Sequence, residues 1–188
     1  MKHFLIVDAS PRKGGNSEVI TDELARLLQG NTVTVFKMRE KKCNFCLACG
    51  ACQNKDDAKC VQKDDISALL PVIENCDGVV LATPVYNQQV TAMAKLFIER
   101  FYPFFSAKNE MMTNSKKRDK KAALICSCWG SPRETVQKYA DWTVAGFCQI
   151  GAKYTKALVF DHIPERAQIL ERADYLQQLK ELSEWLKA

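Results

Sequence analysis

Histidine, proline and glycine are scarce in this chain of 188 residues, which carries 2 His, 6 Pro and 8 Gly. With so few histidines, no Ser-His-Asp triad or metal-histidine centre is apparent. His3 opens an apolar run and His162 sits in the turn Asp161-His162-Ile163-Pro164, and both read as structural. Little glycine and proline beside 47% hydrophobic residues excludes a collagen-like, low-complexity or disordered chain. Long hydrophobic runs are missing too: near the start the longest covers residues 4–7, far short of a signal-peptide core or of the roughly 20 residues a membrane helix needs. A soluble, cytoplasmic protein with no membrane partner is expected. The signatures G-x-x-x-x-G-K-[ST] and G-x-G-x-x-G are both absent, so neither an NTPase phosphate loop nor a dinucleotide fingerprint is present.

Charge is close to balanced, 27 Lys+Arg against 22 Asp+Glu for a net +5. Much of the excess lies in Lys116-Lys117-Arg118-Asp119-Lys120-Lys121, which reads as a solvated loop rather than a nucleic-acid patch. Cysteine, by contrast, is plentiful: there are 9, and Cys43, Cys46, Cys49, Cys52 and Cys60 fall within 18 residues. In a chain with no secretion signal, such a cluster favours metal or redox chemistry over a disulfide framework. Cys46-x-x-Cys49-x-x-Cys52, followed after seven residues by Cys60, supplies four thiolates with the opening spacing of a ferredoxin run. A [4Fe-4S] cluster is the leading reading, with Cys43 as an alternative ligand. Structural zinc and metal-free thiols stay open. Cys76, Cys126 and Cys148 read as buried small hydrophobes.

The rest of the chain alternates strand and helix. His3-Phe4-Leu5-Ile6-Val7-Asp8 is an apolar run suited to a strand buried on both faces. Ile20, Leu24, Leu27 and Leu28 then recur at helical spacing, with Asn16 or Ser17 to cap the helix and Gly30 to stop it. Further strands are expected over 32–38, 78–82, 122–127 and 154–160. Helices are expected over about 65–75, through Met93, Leu96, Phe97 and Phe101, through Val136 to Phe147, and from Ile169 to Leu186. Residues 40–64 have neither period and read as an insertion after the second strand, while residues 102–120 read as a long loop suited to a lid or subunit contact. Five strands alternating with five helices imply a doubly wound α/β domain over 1–188, with ligands outside the carboxyl ends of the strands.

The loop after the first strand is Ser10-Pro11-Arg12-Lys13-Gly14-Gly15-Asn16-Ser17, leading straight into a helix. Its glycines, hydroxyls and helix N-terminus suit a phosphate. Together with Thr83-Pro84-Val85-Tyr86-Asn87 it resembles the flavodoxin-like NADPH-dependent FMN reductases, and the cysteine segment is similar to that of their iron-sulfur flavoprotein branch. The resemblance implies a five-stranded parallel sheet in the order 2-1-3-4-5. It also implies an FMN phosphate held by Ser10, Arg12, Asn16 and Ser17, and an isoalloxazine ring lying against Thr83, Pro84, Val85, Tyr86 and Asn87, bordered by Trp129 and Gly130. The implied chemistry is flavin-centred, with NAD(P)H as electron donor and a small-molecule or protein acceptor, in a homodimer or homotetramer. A non-enzymatic electron carrier is the alternative.

Overall fold

The computed structural model describes residues 1–54, 59–106, 108, 110 and 112–188; parts of the expected cysteine insertion (55–58) and long loop (107, 109 and 111) lie outside the described residues. Six strands form one sheet: β1 (His3–Asp8), β2 (Thr32–Lys37), β3 (Gly78–Tyr86), β4 (Gln89–Val90), β5 (Lys120–Ser127) and β6 (Ala152–Phe160). The five longer strands run parallel in the order β2-β1-β3-β5-β6. Counting only parallel strands, this is the expected 2-1-3-4-5 order. The strand number differs, six rather than five, because β3 runs on to Tyr86 and reverses through Asn87 and Gln88 into β4. Both turn residues have positive φ, 49° and 66°, as a two-residue hairpin requires. No glycine marks the turn, so it carries no sequence signal.

Side chains alternate across the sheet. Leu5 and Val7 of β1, Val79 and Leu81 of β3, and Ala122 and Leu124 of β5 enter one apolar layer. Phe4, Ile6, Val80, Ala82, Ala123 and Ile125 enter the other. Helices α1 (Asn16–Leu27) and α5 (Ala173–Lys187) cover the second layer through Ile20, Leu24, Leu179 and Leu182. Helices α2 (Asp65–Asn75), α3 (Ala92–Glu99) and α4 (Arg133–Ala145) cover the first through Ile66, Ile73, Phe97 and Val136. Covering both faces explains why the strands read as continuous apolar runs.

Several local expectations are corrected. Helix α1 takes Gly15 as its N-cap with no side-chain cap, since Asn16 is engaged elsewhere. The last helix starts at Ala173: residues Gln168–Glu171 form a 3-10 turn, and Arg172, at φ −106° and ψ 87°, breaks the helical path. The basic run is only partly solvated. Lys120 is fully buried, and its Nζ donates to Ser115 Oγ, Lys117 O and Ile150 O at 2.7 to 2.8 Å. Cys148 is half-buried, whereas Cys76 and Cys126 are buried. No described helix is long and apolar enough to cross a membrane.

Candidate functional site

Strand order reverses beside β1, and there the loops following β1, β5 and β6 and the end of β3 surround an open cleft. A cleft at this place suits a cofactor. Of the residues expected from the sequence, Ser10, Arg12, Asn16, Ser17, Pro84, Val85, Tyr86 and Trp129 line it. Thr83, Asn87 and Gly130 do not. Thr83 is fully buried, and its Oγ1 accepts the Thr91 N–H at 3.2 Å. Thr91 in turn caps α3, so Thr83 anchors a helix instead of facing the cleft. Asn87 is taken up by the hairpin turn.

Sequence reasoning missed the fourth wall, Ile163, Pro164, Glu165 and Arg166, along with Ser127 at the end of β5. Asn16 holds that wall in place. Its Nδ2 donates to Ile163 O at 3.0 Å and Glu165 O at 2.8 Å, and its Oδ1 accepts from Ile169 N at 3.0 Å. The amide is therefore occupied by the loop, although Asn16 also lines the cleft. A polar residue at a helix start gives no hint of partners about 150 positions away. Ser17 Oγ lies 3.2 Å from Ser127 Oγ, joining the start of α1 to the end of β5 at the cleft wall.

Two carboxylates support the loop after β1 from below. Asp8 Oδ1 accepts the Ser10 N–H at 3.0 Å, and Glu18 Oε2 accepts the Gly14 N–H at 2.6 Å. Arg39 bridges them, donating to Asp8 Oδ2 and, at 2.6 Å, to Glu18 Oε1; Lys37 adds a 2.8 Å contact to Glu18. Burial pushes the Glu18 carboxyl up, but the Lys37 ammonium, the Gly14 N–H and the charge of Arg39 outweigh it and hold the group at about 2. At Asp8 burial wins, and its carboxyl sits above the ordinary range despite the Ser10 and Arg39 hydrogen bonds. Gly14 takes φ +69°, the left-handed conformation that turns its N–H down onto Glu18.

A second, small cavity is lined by Cys46, Cys49, Cys52 and Cys60 together with Arg100 and Tyr102. Cys43 is not among its walls and packs against the core instead. Burial pushes the Cys43 thiol up to about 11, with Asp64 and Asp65 adding to the effect. The Ala48 N–H donates to Cys46 Sγ at 3.4 Å, and Arg100 Nη2 donates to Cys60 Sγ at 3.5 Å. Among the described residues, no three His, Cys, Asp or Glu side chains are gathered as a metal-ligand group. Four unpaired thiols around one cavity, with N–H donors already aimed at two sulfurs, nonetheless form a donor set that fits an iron-sulfur cluster.

The model of a family described as NADPH-dependent FMN reductase matches residues 1–153. An iron-sulfur flavoprotein of Methanosarcina thermophila is 32% identical over 139 residues, covering 72% of this chain and 70% of the relative. One from Archaeoglobus fulgidus is 41% identical over 97 residues, covering 50% of this chain and 43% of the relative. Against several such curated relatives the chain spans about half of their length or less. In fold it is similar to an NAD(P)H:quinone oxidoreductase from Methanothermobacter marburgensis, with a TM-score of 0.75, 16% identity and coverage of 100% and 98% of the two chains. A further neighbour is an FMN-dependent NADH-azoreductase from Bacillus anthracis, with a TM-score of 0.70, 11% identity and coverage of 99% and 100%. Matched by the family model over most of its length, and by a relative over more than two thirds of both chains, the chain belongs to the NADPH-dependent FMN reductase family, in its iron-sulfur flavoprotein branch.

Proposed function

We propose that the chain is a cytoplasmic FMN-dependent oxidoreductase. It takes electrons from NAD(P)H and passes them, with a [4Fe-4S] cluster held by Cys46, Cys49, Cys52 and Cys60, to a quinone, flavin or protein acceptor. The observation that carries this reading is the cleft at the strand-order reversal, which brings a phosphate-type loop and the Pro84-Val85-Tyr86 strand end together. Bound FMN would supply the two-electron chemistry. The protein's part is to bind, orient and exclude water. Backbone N–H groups at the start of α1, with the Ser17 hydroxyl, suit the phosphate; Gly14 is already committed to Glu18. Tyr86 and Trp129, 44% and 67% exposed, offer aromatic faces at the rim. The choice of Cys46, Cys49, Cys52 and Cys60 over Cys43 rests on the walls of the second cavity. Residues 1–188 are taken as one FMN-binding domain that self-associates as a homodimer or homotetramer.

The test is an absorption spectrum of anaerobically purified protein with flavin, iron, sulfide and zinc analysis of the same sample, followed by NAD(P)H oxidation with quinone or free flavin. Flavin with about four irons per chain and turnover with a small acceptor supports the full reading. Flavin without iron reduces it to an FMN reductase with zinc-bound or free thiols. Reduction only by a protein partner makes the chain a carrier, and failure to take up FMN overturns the proposal.

A further inference from the structure

Arg100, which follows α3, is 1% exposed, yet it touches four separate points of the chain around the cysteine cavity. Its guanidinium grips Asp64 through both carboxylate oxygens, at 2.6 and 3.0 Å. It also donates to Asn44 O at 2.7 Å, Ser67 Oγ at 2.7 Å and Cys60 Sγ at 3.5 Å. Asp64 completes the arrangement by accepting the Asn44 N–H at 2.9 Å and capping α2 through the Ser67 N–H, also at 2.9 Å. Asn44 precedes the first three ligands and Cys60 is the fourth. Both stems of the cysteine segment are therefore tied to one buried ion pair, and among the described residues its backbone around the cysteines forms no strand and one short 3-10 turn, Ala51–Asn54.

We propose that Arg100 is the positioning residue of the cysteine site, closing its stem through Asp64 and holding an N–H donor and a positive charge on the Cys60 sulfur. This rests on the reading of the four cysteines as cluster ligands. A hydrogen bond and a positive charge at a ligand sulfur favour the more reduced, more negative state of a cluster, so they set its potential as well as its place. A lysine cannot do the same work, because one ammonium lacks the planar fork that serves Asp64 on one side and Cys60 on the other.

The test uses Arg100→Lys and Arg100→Met in full-length protein purified without oxygen. Arg100→Met leaves the buried Asp64 unpaired and risks unfolding, so Arg100→Lys, which keeps a cation opposite Asp64, carries the decision. For Arg100→Lys we expect a retained circular dichroism spectrum, reduced iron and sulfide per chain, and a more negative cluster potential in spectroelectrochemical titration. Amide exchange in a peptide spanning 42–52 is expected to be at least about tenfold faster, the effect of losing one to two hydrogen bonds. Wild-type iron content, potential and exchange in Arg100→Lys would overturn the proposal. If wild-type protein holds no iron or sulfide, the cluster reading itself fails; the exchange comparison on the same samples still decides whether Arg100 closes the segment.

Discussion

Glu18→Gln tests whether the loop after β1 is held by charge. The Glu18 side chain is 11% exposed and meets Lys37 at 2.8 Å, Arg39 at 2.6 Å and the Gly14 N–H at 2.6 Å. These partners hold its carboxyl at about 2 against an ordinary 4.5. At about 1.4 kcal/mol per pH unit, the depression is worth about 3 kcal/mol. Because the folded-state value is the lower one, this stability is complete above pH 4.5 and is lost as pH falls from there toward 2. Glutamine can still accept the Gly14 N–H but cannot answer two cations. The variant is therefore expected to be less stable than wild type by about 3 kcal/mol at pH 7, with the gap closing steadily below pH 4.5. Asp8 works in the opposite sense: its raised value means that acid relieves its burial. That contribution is common to both proteins and largely cancels in the difference. Urea unfolding of both chains at pH 7, 5, 4 and 3 provides the measurement. A gap that stays constant with pH, or one below about 1 kcal/mol at pH 7, refutes the charge-clamp argument.

Three further outcomes are expected. Asn16→Ala removes the bonds to Ile163 O, Glu165 O and Ile169 N, at a local cost of about 2 kcal/mol; hydrogen exchange over 161–169 should rise and FMN titration should weaken, while unchanged exchange would show the loop held by other means. Ser17→Asp sets a carboxylate at the start of α1, 3.2 Å from Ser127 Oγ in the parent chain, and should weaken FMN binding at least about a hundredfold in a fluorescence titration of protein whose Tm is checked in parallel; retained affinity would move the phosphate elsewhere. Gly151→Ala, at φ +82°, would bring its Cβ to 2.0 Å from Lys117 O, the same carbonyl that receives Lys120 Nζ. A stability loss of about 3 kcal/mol by thermal denaturation is expected from strain and overlap together.

What could be read beforehand follows from how local the signals are. The parallel strands announce themselves because burial on both faces makes each an unbroken apolar run, as in Phe4-Leu5-Ile6-Val7. The loop after β1 was legible from its glycines and its position before a helix. The hairpin at Asn87 and Gln88 was not, because left-handed backbone at a non-glycine residue has no compositional mark. Asn16 reads as a ligand donor because an amide in a phosphate-type loop can donate, yet its side-chain partners lie in a loop at the far end of the chain. The family resemblance implies Thr83 at the flavin ring, while strand alternation turns its side chain inward to Thr91. Lys120 looked like one more solvated cation of a basic run, and only the sheet pairing of β5 shows that it points into the protein.

The two cavities share a construction that motif reading does not reveal. In each, a carboxylate takes a backbone N–H from a loop without regular structure: Asp8 from Ser10, Glu18 from Gly14, and Asp64 from Asn44. In each, an arginine from a different element neutralises that carboxylate, Arg39 below the loop after β1 and Arg100 beside the cysteines. The pairing has a physical purpose. A loop that must present N–H groups to an anion, or sulfurs to a metal, cannot also use them to pack a core, so its conformation has to be fixed from behind. Carboxylates do this with strong charge-assisted bonds, but uncompensated negative charge would repel a phosphate above Asp8 and Glu18 and disfavour thiolates above Asp64. The arginine cancels that charge while its planar fork adds further bonds. Arg39, in the 3-10 turn Met38–Glu40, comes only four residues before Cys43. The stretch that anchors the proposed flavin loop thus leads directly into the segment that carries the cysteines. Substitution of Arg39 should accordingly disturb both sites, whereas substitution of Arg100 should disturb the cysteine site alone.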